Sequence, residues 1–433
     1  HTRLSIIDKS DYGLQPMFSD NEKLAITFNG EIYNHKILKK ELENSGYQIQ
    51  WKGHSDTEIL INCIEAWGIN KSLEKCVGMF AFALWDITNK TLTLARDRFG
   101  EKPLYYGWIG KGESSSLVFS SELKALKEHP EFTQNIDKNA LSSFLKTMTV
   151  TGSNSIFEDI KKVPPGTFIT FKFDKKEQII KKYWFLEDII NARENNDKEF
   201  HNPEIIKNNL EKLLLDSVSQ KMLADVSIGA FLSGGIDSST IVALMQTQSS
   251  IPIKTFSIGF TEKEYDESKY ASNISKHLGT DHNELILSPK DITNSIPKIT
   301  GLYDEPFADS SQIPTYLVSN LAKRKVTVAL TGDAGDELFC GYNRYKFAST
   351  LWPLIKRSPK ILKSILKSSI NLLSPREIEN ILNKIPSSNN WNMIGDKVYK
   401  IANTLDCNNI SSLYEKLITN AFSETSCLLN DNF

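Results

Sequence analysis

Between Val226 and Gln246 the chain reads VSIGAFLSGGIDSSTIVALMQ, and the residue types there suit a phosphorylated ligand carrying a metal. Gly234 and Gly235 allow a sharp turn and a close ligand approach where a Cβ would clash. Ser238 and Ser239 follow at a helix start, so backbone N–H groups, hydroxyls and the positive end of the helix dipole converge on one point. That point attracts an anion, and Asp237 beside it attracts a cation. Phosphate with Mg²⁺ satisfies both. No Gly-Lys-Ser/Thr follows the glycines, so this is not a Walker A loop. The plainer reading is a serine-capped strand–turn–helix. Ile228 to Leu232 forms the expected buried strand, and Ile241, Val242 and Met245 recur at helical spacing after the turn.

Ser233-Gly234-Gly235-Ile236-Asp237-Ser238 resembles the pyrophosphate loop of the N-type ATP pyrophosphatases, which split ATP between its α and β phosphates. With its neighbours, the chain is most similar to the glutamine-hydrolysing asparagine synthetase family, over most of residues 1–347. The resemblance implies an ATP site of Leu232, Ser233, Gly234, Gly235, Asp237, Ser238, Ile258, Thr331 and Gly332. Leu232 would set a backbone carbonyl or N–H beside adenine, and Ile258 would lie where the family holds the base. Asp237 and Asp336 would share Mg²⁺, a hard oxygen site as that ion requires. Asp333 stands where the family often has Glu, and Ala334 and Cys340 stand where it often has Gly. The plain alternative for Asp333, Asp336 and Glu337 is an acidic loop capping the next helix.

Upstream, Arg3 in RLSIID, Asn29-Gly30-Glu31 in FNGEIYN and Asp56 in GHSDTE resemble the glutamine pocket of amidotransferases with an N-terminal nucleophile. The segment Leu4, Ser5, Ile6 and Ile7 falls in that pocket by the same resemblance. An arginine can clamp an α-carboxylate, while Glu31 and Asp56 can meet an α-ammonium. The Asn29 amide and Gly30 N–H suit an oxyanion hole. Singly, Arg3 reads as a surface cation, Asn29-Gly30 as a hairpin turn and Asp56 as a helix cap.

The family's nucleophile is a cysteine at the mature N-terminus. Nothing precedes His1 here, and Cys63 and Cys76 fall on expected helices, so the chain as given is expected to bind glutamine without hydrolysing it. His1 and His54 read as structural or solvated. The family's pyrophosphate-neutralising lysine segment is not found before Phe433, so a fragment cut at both ends is expected. The implied chemistry is ATP-dependent amidation of aspartate through β-aspartyl-AMP. DEPFADSSQIPTYLVS (Asp304 to Ser319) and GYNRY (Gly341 to Tyr345) resemble a bacterial branch that includes enzymes amidating sugar acids, so a uronic acid stays open as acceptor. A catalytically silent nucleotide-binding regulator stays open as well.

A chain of 433 residues with net charge −2 suits two or three domains and gives no reason to expect nucleic acid or a membrane as partner. Five scattered cysteines without metal-like spacing fit a reducing cytoplasm. Partners are small molecules, and a homodimer is the one assembly entertained. The expected fold is α/β: an αββα sandwich of stacked antiparallel sheets over residues 1–186, a polar linker at 187–204, and a doubly wound parallel-sheet domain over 205–433. RLSIID, KLAITF, FAFALWD, TLTLARD and SSLVFSS read as strands, with a turn at Thr88-Asn89-Lys90. TFITFKF and EQIIKKYWF make a hairpin turning at Asp174. IKTFSI, HNELIL and VTVAL alternate with helices. KRSPKILKSILKSSINLL reads as a packed basic surface helix in preference to a membrane anchor.

Overall fold

The computed structural model describes residues 1–112, 115–173, 177–193, 202–262, 266–382 and 394–419. Alternating apolar runs become strands β1 (Met17–Phe18), β2 (Leu24–Ile32), β3 (Gly78–Asp86), β4 (Thr91–Arg96), β5 (Tyr105–Ile109), β6 (Ser116–Ser120), β7 (Ile160–Lys162), β8 (Thr167–Lys172) and β9 (Glu177–Lys182). They form two antiparallel sheets, β1-β2-β3-β4-β8-β9 and β6-β5-β7. The pleat sorts β3 cleanly. Phe80, Phe82 and Leu84 pack with Leu38 and Leu42 of the helix His35–Asn44 and with Ile59, Leu60 and Cys63 of the helix Asp56–Trp67. Ala81 and Ala83 face Leu104 and Tyr106, from the region of the second sheet. A helix layer and two stacked sheets result, as the strand spacing required. The turn expected at Asp174 and positions 194–201 of the expected linker lie outside the described residues.

Strands β10 (Ile228–Phe231), β11 (Lys254–Phe260), β12 (Asp281–Leu287) and β13 (Val328–Leu330) form an all-parallel sheet in the order β12-β11-β10-β13. Both faces are covered. Ala230 and Leu232 pack with Val218, Val242 and Met245 on one side, and Phe231 and Phe256 pack with Val318 and Ala322 of the helix Gln312–Lys323 on the other. This is the doubly wound arrangement.

The chain divides into two compact units, His1–Ala140 with Val150–Gly332 and Leu141–Thr149 with Asp333–Phe433. All thirteen strands found among the described residues belong to the first. The second is helical among its described residues. The helices Asn343–Arg357 and Ile410–Ile418 enclose Ala348, Ile355 and Leu413, and Lys146 pairs with Glu415 at 2.6 Å.

Two expectations and one alternative reading change. RLSIID is not a strand. Its polar backbone is pinned by side chains and a single distant residue instead of a ladder, as the site geometry below shows. Asn29-Gly30 is no turn but the interior of β2, where Gly30 opposes Phe80. The basic segment forms the end of Asn343–Arg357 and the helix Lys360–Asn371, yet Ile361, Leu362, Ile365 and Leu366 stay exposed, unlike a packed surface helix. No helix among the described residues is long and apolar enough to cross a membrane.

Ala334 and Cys340 have φ of 69° and 59°, the left-handed region where an L side chain costs roughly 1–2 kcal/mol. Glycine removes that cost and returns roughly 0.4–1 kcal/mol through a freer unfolded chain. Ala334→Gly and Cys340→Gly should therefore each stabilise the second unit by about 0.5–1 kcal/mol, seen as a raised urea midpoint. A lowered midpoint for both would show that their neighbours relieve the strain.

Candidate functional site

The N-terminal candidates converge around the end of β2. Ser55, not Asp56, caps the helix Asp56–Trp67, its Oγ accepting from the Glu58 N–H at 3.2 Å. Asp56 is thereby left to accept from the Ile32 N–H at 2.8 Å and the Thr57 N–H at 2.9 Å. Burial pushes its pKa up to about 6 against those hydrogen bonds and the charge of Arg3. Glu31 is pushed to about 7, by burial first and by the charge of Asp56 second, with Lys102 and Lys221 opposing. Two acids, both reluctant to ionise, form a place where an ammonium is welcome.

Arg3 donates to the Ile7 carbonyl at 2.8 Å, which folds the segment Arg3–Ile7 over itself. Leu4 is exposed, Ser5 and Ile6 are half-buried, and Ile7 is buried. The Ile6 carbonyl accepts from the Asp225 N–H at 2.9 Å, and the Asp8 N–H donates to Asp225 Oδ2 at 2.8 Å. His54 donates its backbone N–H to Asp8 and sets its Nε2 2.8 Å from Asp225. His54 is thus structural, as expected, but the Asp8–His54–Asp225 knot that replaces a strand was not foreseen. A Cβ on Gly30 would fall on the Met79 carbonyl and Phe80 Cα, so glycine is needed for strand packing. The Asn29 amide donates to Ser121 Oγ at 3.0 Å, and an amide has a second N–H to offer. Cys63 and Cys76 are buried in the core. Cys63 lies on a helix and Cys76 just past the end of one. Burial raises the Cys63 thiol to about 12 and pushes Cys76 up as well, which disfavours the thiolate that a nucleophile needs.

The second set lies where strand order reverses. β10 is flanked by β11 and β13, so the crevice at their carboxyl ends is a topological switch point. The loop after β10 and Thr331-Gly332 after β13 meet there. A Cβ on Gly332 would stand 2.7 Å from the Ser238 N and 3.0 Å from the Asp237 carbonyl carbon. The helix Ile236–Thr247 begins at Gly235, which provides no side-chain cap. Ser233 Oγ and Ser238 Oγ are 2.9 Å apart, and Ser238 Oγ also accepts from the Ser233 N–H at 3.2 Å. These bonds hold the loop curled around an uncapped helix start, with Asp237 half-buried in the first turn.

Gly234, at φ 87°, approaches Tyr270 and Ala271 of the helix Ser268–Leu278, so its missing side chain is required for packing. The Leu232 N–H is taken by the Phe256 carbonyl at 2.9 Å, which leaves only the Leu232 carbonyl for a base. Ile258 is half-buried on β11, two residues beyond the Phe231–Phe256 pair.

Asp333, Asp336 and Glu337 belong to the second unit. The short helix Gly335–Phe339 has Ala334 at its N-cap without a side-chain cap. Asp336 is half-buried, and its backbone carbonyl accepts from Gly341 at 3.2 Å. Tyr342 donates its hydroxyl to Glu337 at 2.6 Å, which lowers the pKa of Glu337.

Glu31 and Asp56 both have folded-state pKa values above their unfolded ones. Their contribution to stability is complete below about pH 4 and is lost as pH rises through about 6 and 7. An α-ammonium bound between them would lower both pKa values. Glutamine binding should therefore release protons near pH 6.5, read as a buffer-dependent calorimetric heat, and Asp56→Asn should shrink that release. A heat independent of buffer would remove the ammonium from this pocket.

A family model described as "Glutamine amidotransferase domain" matches residues 1–184, and one described as "Asparagine synthase" matches residues 209–423. Asparagine synthetase [glutamine-hydrolyzing] 1 of Bacillus subtilis is 38% identical over 364 residues, covering 84% of this chain and 54% of that relative. Putative asparagine synthetase [glutamine-hydrolyzing] 2 of Methanocaldococcus jannaschii is 34% identical over 386 residues, covering 84% of this chain and 70% of its own length. The chain therefore spans about half of the first relative and more of the second. Among solved structures, a glutamine phosphoribosylpyrophosphate amidotransferase from B. subtilis aligns at 17% identity over 66% of this chain and 50% of its own, with a TM-score of 0.29, too low to bear on the argument. By its identity to the M. jannaschii relative, and by the share of that protein it spans, this chain belongs to the glutamine-hydrolysing asparagine synthetase family.

Proposed function

We propose that the full-length protein performs ATP-dependent amidation of a carboxylate, with aspartate as acceptor and glutamine as nitrogen donor. The observation that carries this reading is the meeting of an uncapped helix start, Asp237 and Thr331-Gly332 at the switch point of a parallel sheet. Backbone N–H groups at 236–238 would stabilise charge on departing pyrophosphate, and the serine hydroxyls would hold the loop in place. The carboxylate of aspartate attacks the α-phosphate of ATP to give β-aspartyl-AMP and pyrophosphate, and ammonia then displaces AMP. Asp333 would hold the incoming ammonium and accept its proton. Arg3, Glu31 and Asp56 would seat glutamine, and Asn29 with Gly30 would receive the oxyanion.

Mg²⁺ fits the residues present. Asp237 offers hard oxygen donors in the helix's first turn, and Mg²⁺ takes one or two carboxylates, filling its shell with phosphate oxygens and water. No cluster of three metal-ligating side chains occurs among the described residues, which suits an ion brought by its nucleotide. Asp237 would hold it, and when bound it neutralises phosphate charge.

In the full-length protein Asp237→Asn should abolish ATP–pyrophosphate exchange and spare glutamine hydrolysis. Wild-type exchange in that variant would sink the phosphate-site assignment. Asp333→Asn should slow amide formation by at least about a hundredfold with ATP binding nearly unchanged, and Asp333→Glu should retain much of the activity. Pyrophosphate release driven by a uronic acid and not by aspartate would move the acceptor to a sugar acid.

A further inference from the structure

The loop after the helix Pro289–Ile299 sends two adjacent acids toward the β6-β5-β7 sheet. Glu305 is received by three donors: Lys162 Nζ at 2.7 Å, the Tyr105 hydroxyl at 3.2 Å and the Ile156 N–H at 2.9 Å. Tyr105 and Lys162 are direct cross-strand partners on β5 and β7, so one face of that sheet makes the socket. Both members of the ion pair are 13% exposed, and each Glu305 oxygen has a partner. This fixes the backbone of the dipeptide.

Its neighbour Asp304 accepts from the Leu123 N–H at 2.7 Å, with Lys124 Nζ at 3.7 Å from its other oxygen. Leu123 is fully buried and opens the helix Leu123–Lys127, which has no side-chain cap of its own at Glu122. Two residues earlier, Ser121 Oγ accepts the Asn29 amide at 3.0 Å. Two hydrogen bonds and a two-residue turn therefore join Asp304 to the side chain read as the oxyanion donor.

We infer that Asp304, set by the Glu305 socket, is a positioning residue for Asn29. This rests on the reading of Asn29 as an oxyanion donor. An asparagine amide turns about its own axis, and a donor must be held within about 0.5 Å and 10–20° to act. Ser121 engages one N–H of Asn29 and so aims the other. Asp304 holds the turn that carries Ser121. Without Asp304, the Leu123 N–H is buried and unpaired, the turn relaxes, and Asn29 loses its aim while the groups that clamp glutamine stay in place.

The test uses the full-length protein. Asp304→Ala should lower kcat for glutamine hydrolysis about tenfold with KM for glutamine nearly unchanged, a loss confined to the transition state. Ammonium-dependent amide formation should suffer much less. Asp304→Asn keeps an acceptor for Leu123 and should restore most of the rate. Glu305→Gln, which keeps shape and loosens only the socket, should fall between the two, and it stands in if the alanine variant does not fold. The loss in Ser121→Ala combined with Asp304→Ala should be no greater than in the worse single variant. The side-chain amide resonance of Asn29 should move in Asp304→Ala and Ser121→Ala and stay in Asp304→Asn. An unmoved resonance in Asp304→Ala, or equal losses with glutamine and ammonium, overturns the inference. Full glutaminase activity in Asn29→Ala would instead overturn the oxyanion reading, and the resonance would still decide whether Asp304 positions Asn29.

Discussion

One buried carboxylate holds the register on which the glutamine-side candidates depend. Asp97 has no solvent exposure and accepts four backbone N–H groups, from Phe80, Phe99, Glu101 and Lys102, at 2.9–3.2 Å. Its own backbone bonds the Phe80 carbonyl and the Gly166 N–H. A carboxyl group is tolerated in a core only when its oxygens are satisfied this fully. Arg96 beside it does the converse, donating to the carbonyls of Gly100, Lys102 and Val163. Between them the two side chains order the connection from β4 to β5 and so join the sheets. Phe80 is also the residue opposite Gly30, so the strand that presents Asn29 and Glu31 is registered through Asp97.

Much of this fold was legible in the chain because period-2 runs and tight-turn residues are local signals. KLAITF, FAFALWD, TLTLARD, IKTFSI and HNELIL all became strands. RLSIID failed because its alternation is met by side-chain partners distant in sequence, Asp225 above all, which no window on the segment can reveal. Asn29-Gly30 misleads for a related reason. The pair has turn chemistry, but a carbonyl on the next strand claims the space where a Cβ would go, and that demand is tertiary. Asp97 offered a faint signal, an acid after an apolar strand amid arginines and a glycine, which reads as a loop until its four donors are seen. Asp304 and Glu305 stood in a motif noticed for its resemblance alone.

The same contrast separates the two candidate sites. The switch-point site is built from backbone, a glycine-started helix and two strand ends, and backbone geometry follows from the order of strands. It was legible as soon as the strands were. The glutamine-side site is built from side chains of segments 3–8, 29–32, 54–58 and 221–225, brought together by burial. Lys221 ends the helix Pro203–Lys221 that precedes β10, yet its ammonium lies 4.5 Å from the Tyr33 ring and feels the charge of Glu31. Spacing along the chain contains no trace of that approach.

Lys221 and Asp225 bracket the approach to β10, and each is engaged by the pocket side, Lys221 through Tyr33 and Asp225 through Ile6, Asp8 and His54. The chain from Asp225 to the loop at Ser233 runs through β10, whose neighbours on both sides fix it in the parallel sheet. Within the first unit, then, the segment that folds over Arg3 and the strand that delivers Asp237 are consecutive parts of one hydrogen-bonded structure. A strand held between two others resists sliding, because a shift of one residue would turn Ala230 and Leu232 out of their core. Loosening Asp225 would consequently disturb the Arg3 segment far more than the phosphate loop. The rigid side of this junction is the sheet, and the side free to yield is the irregular chain from Arg3 to Asp8.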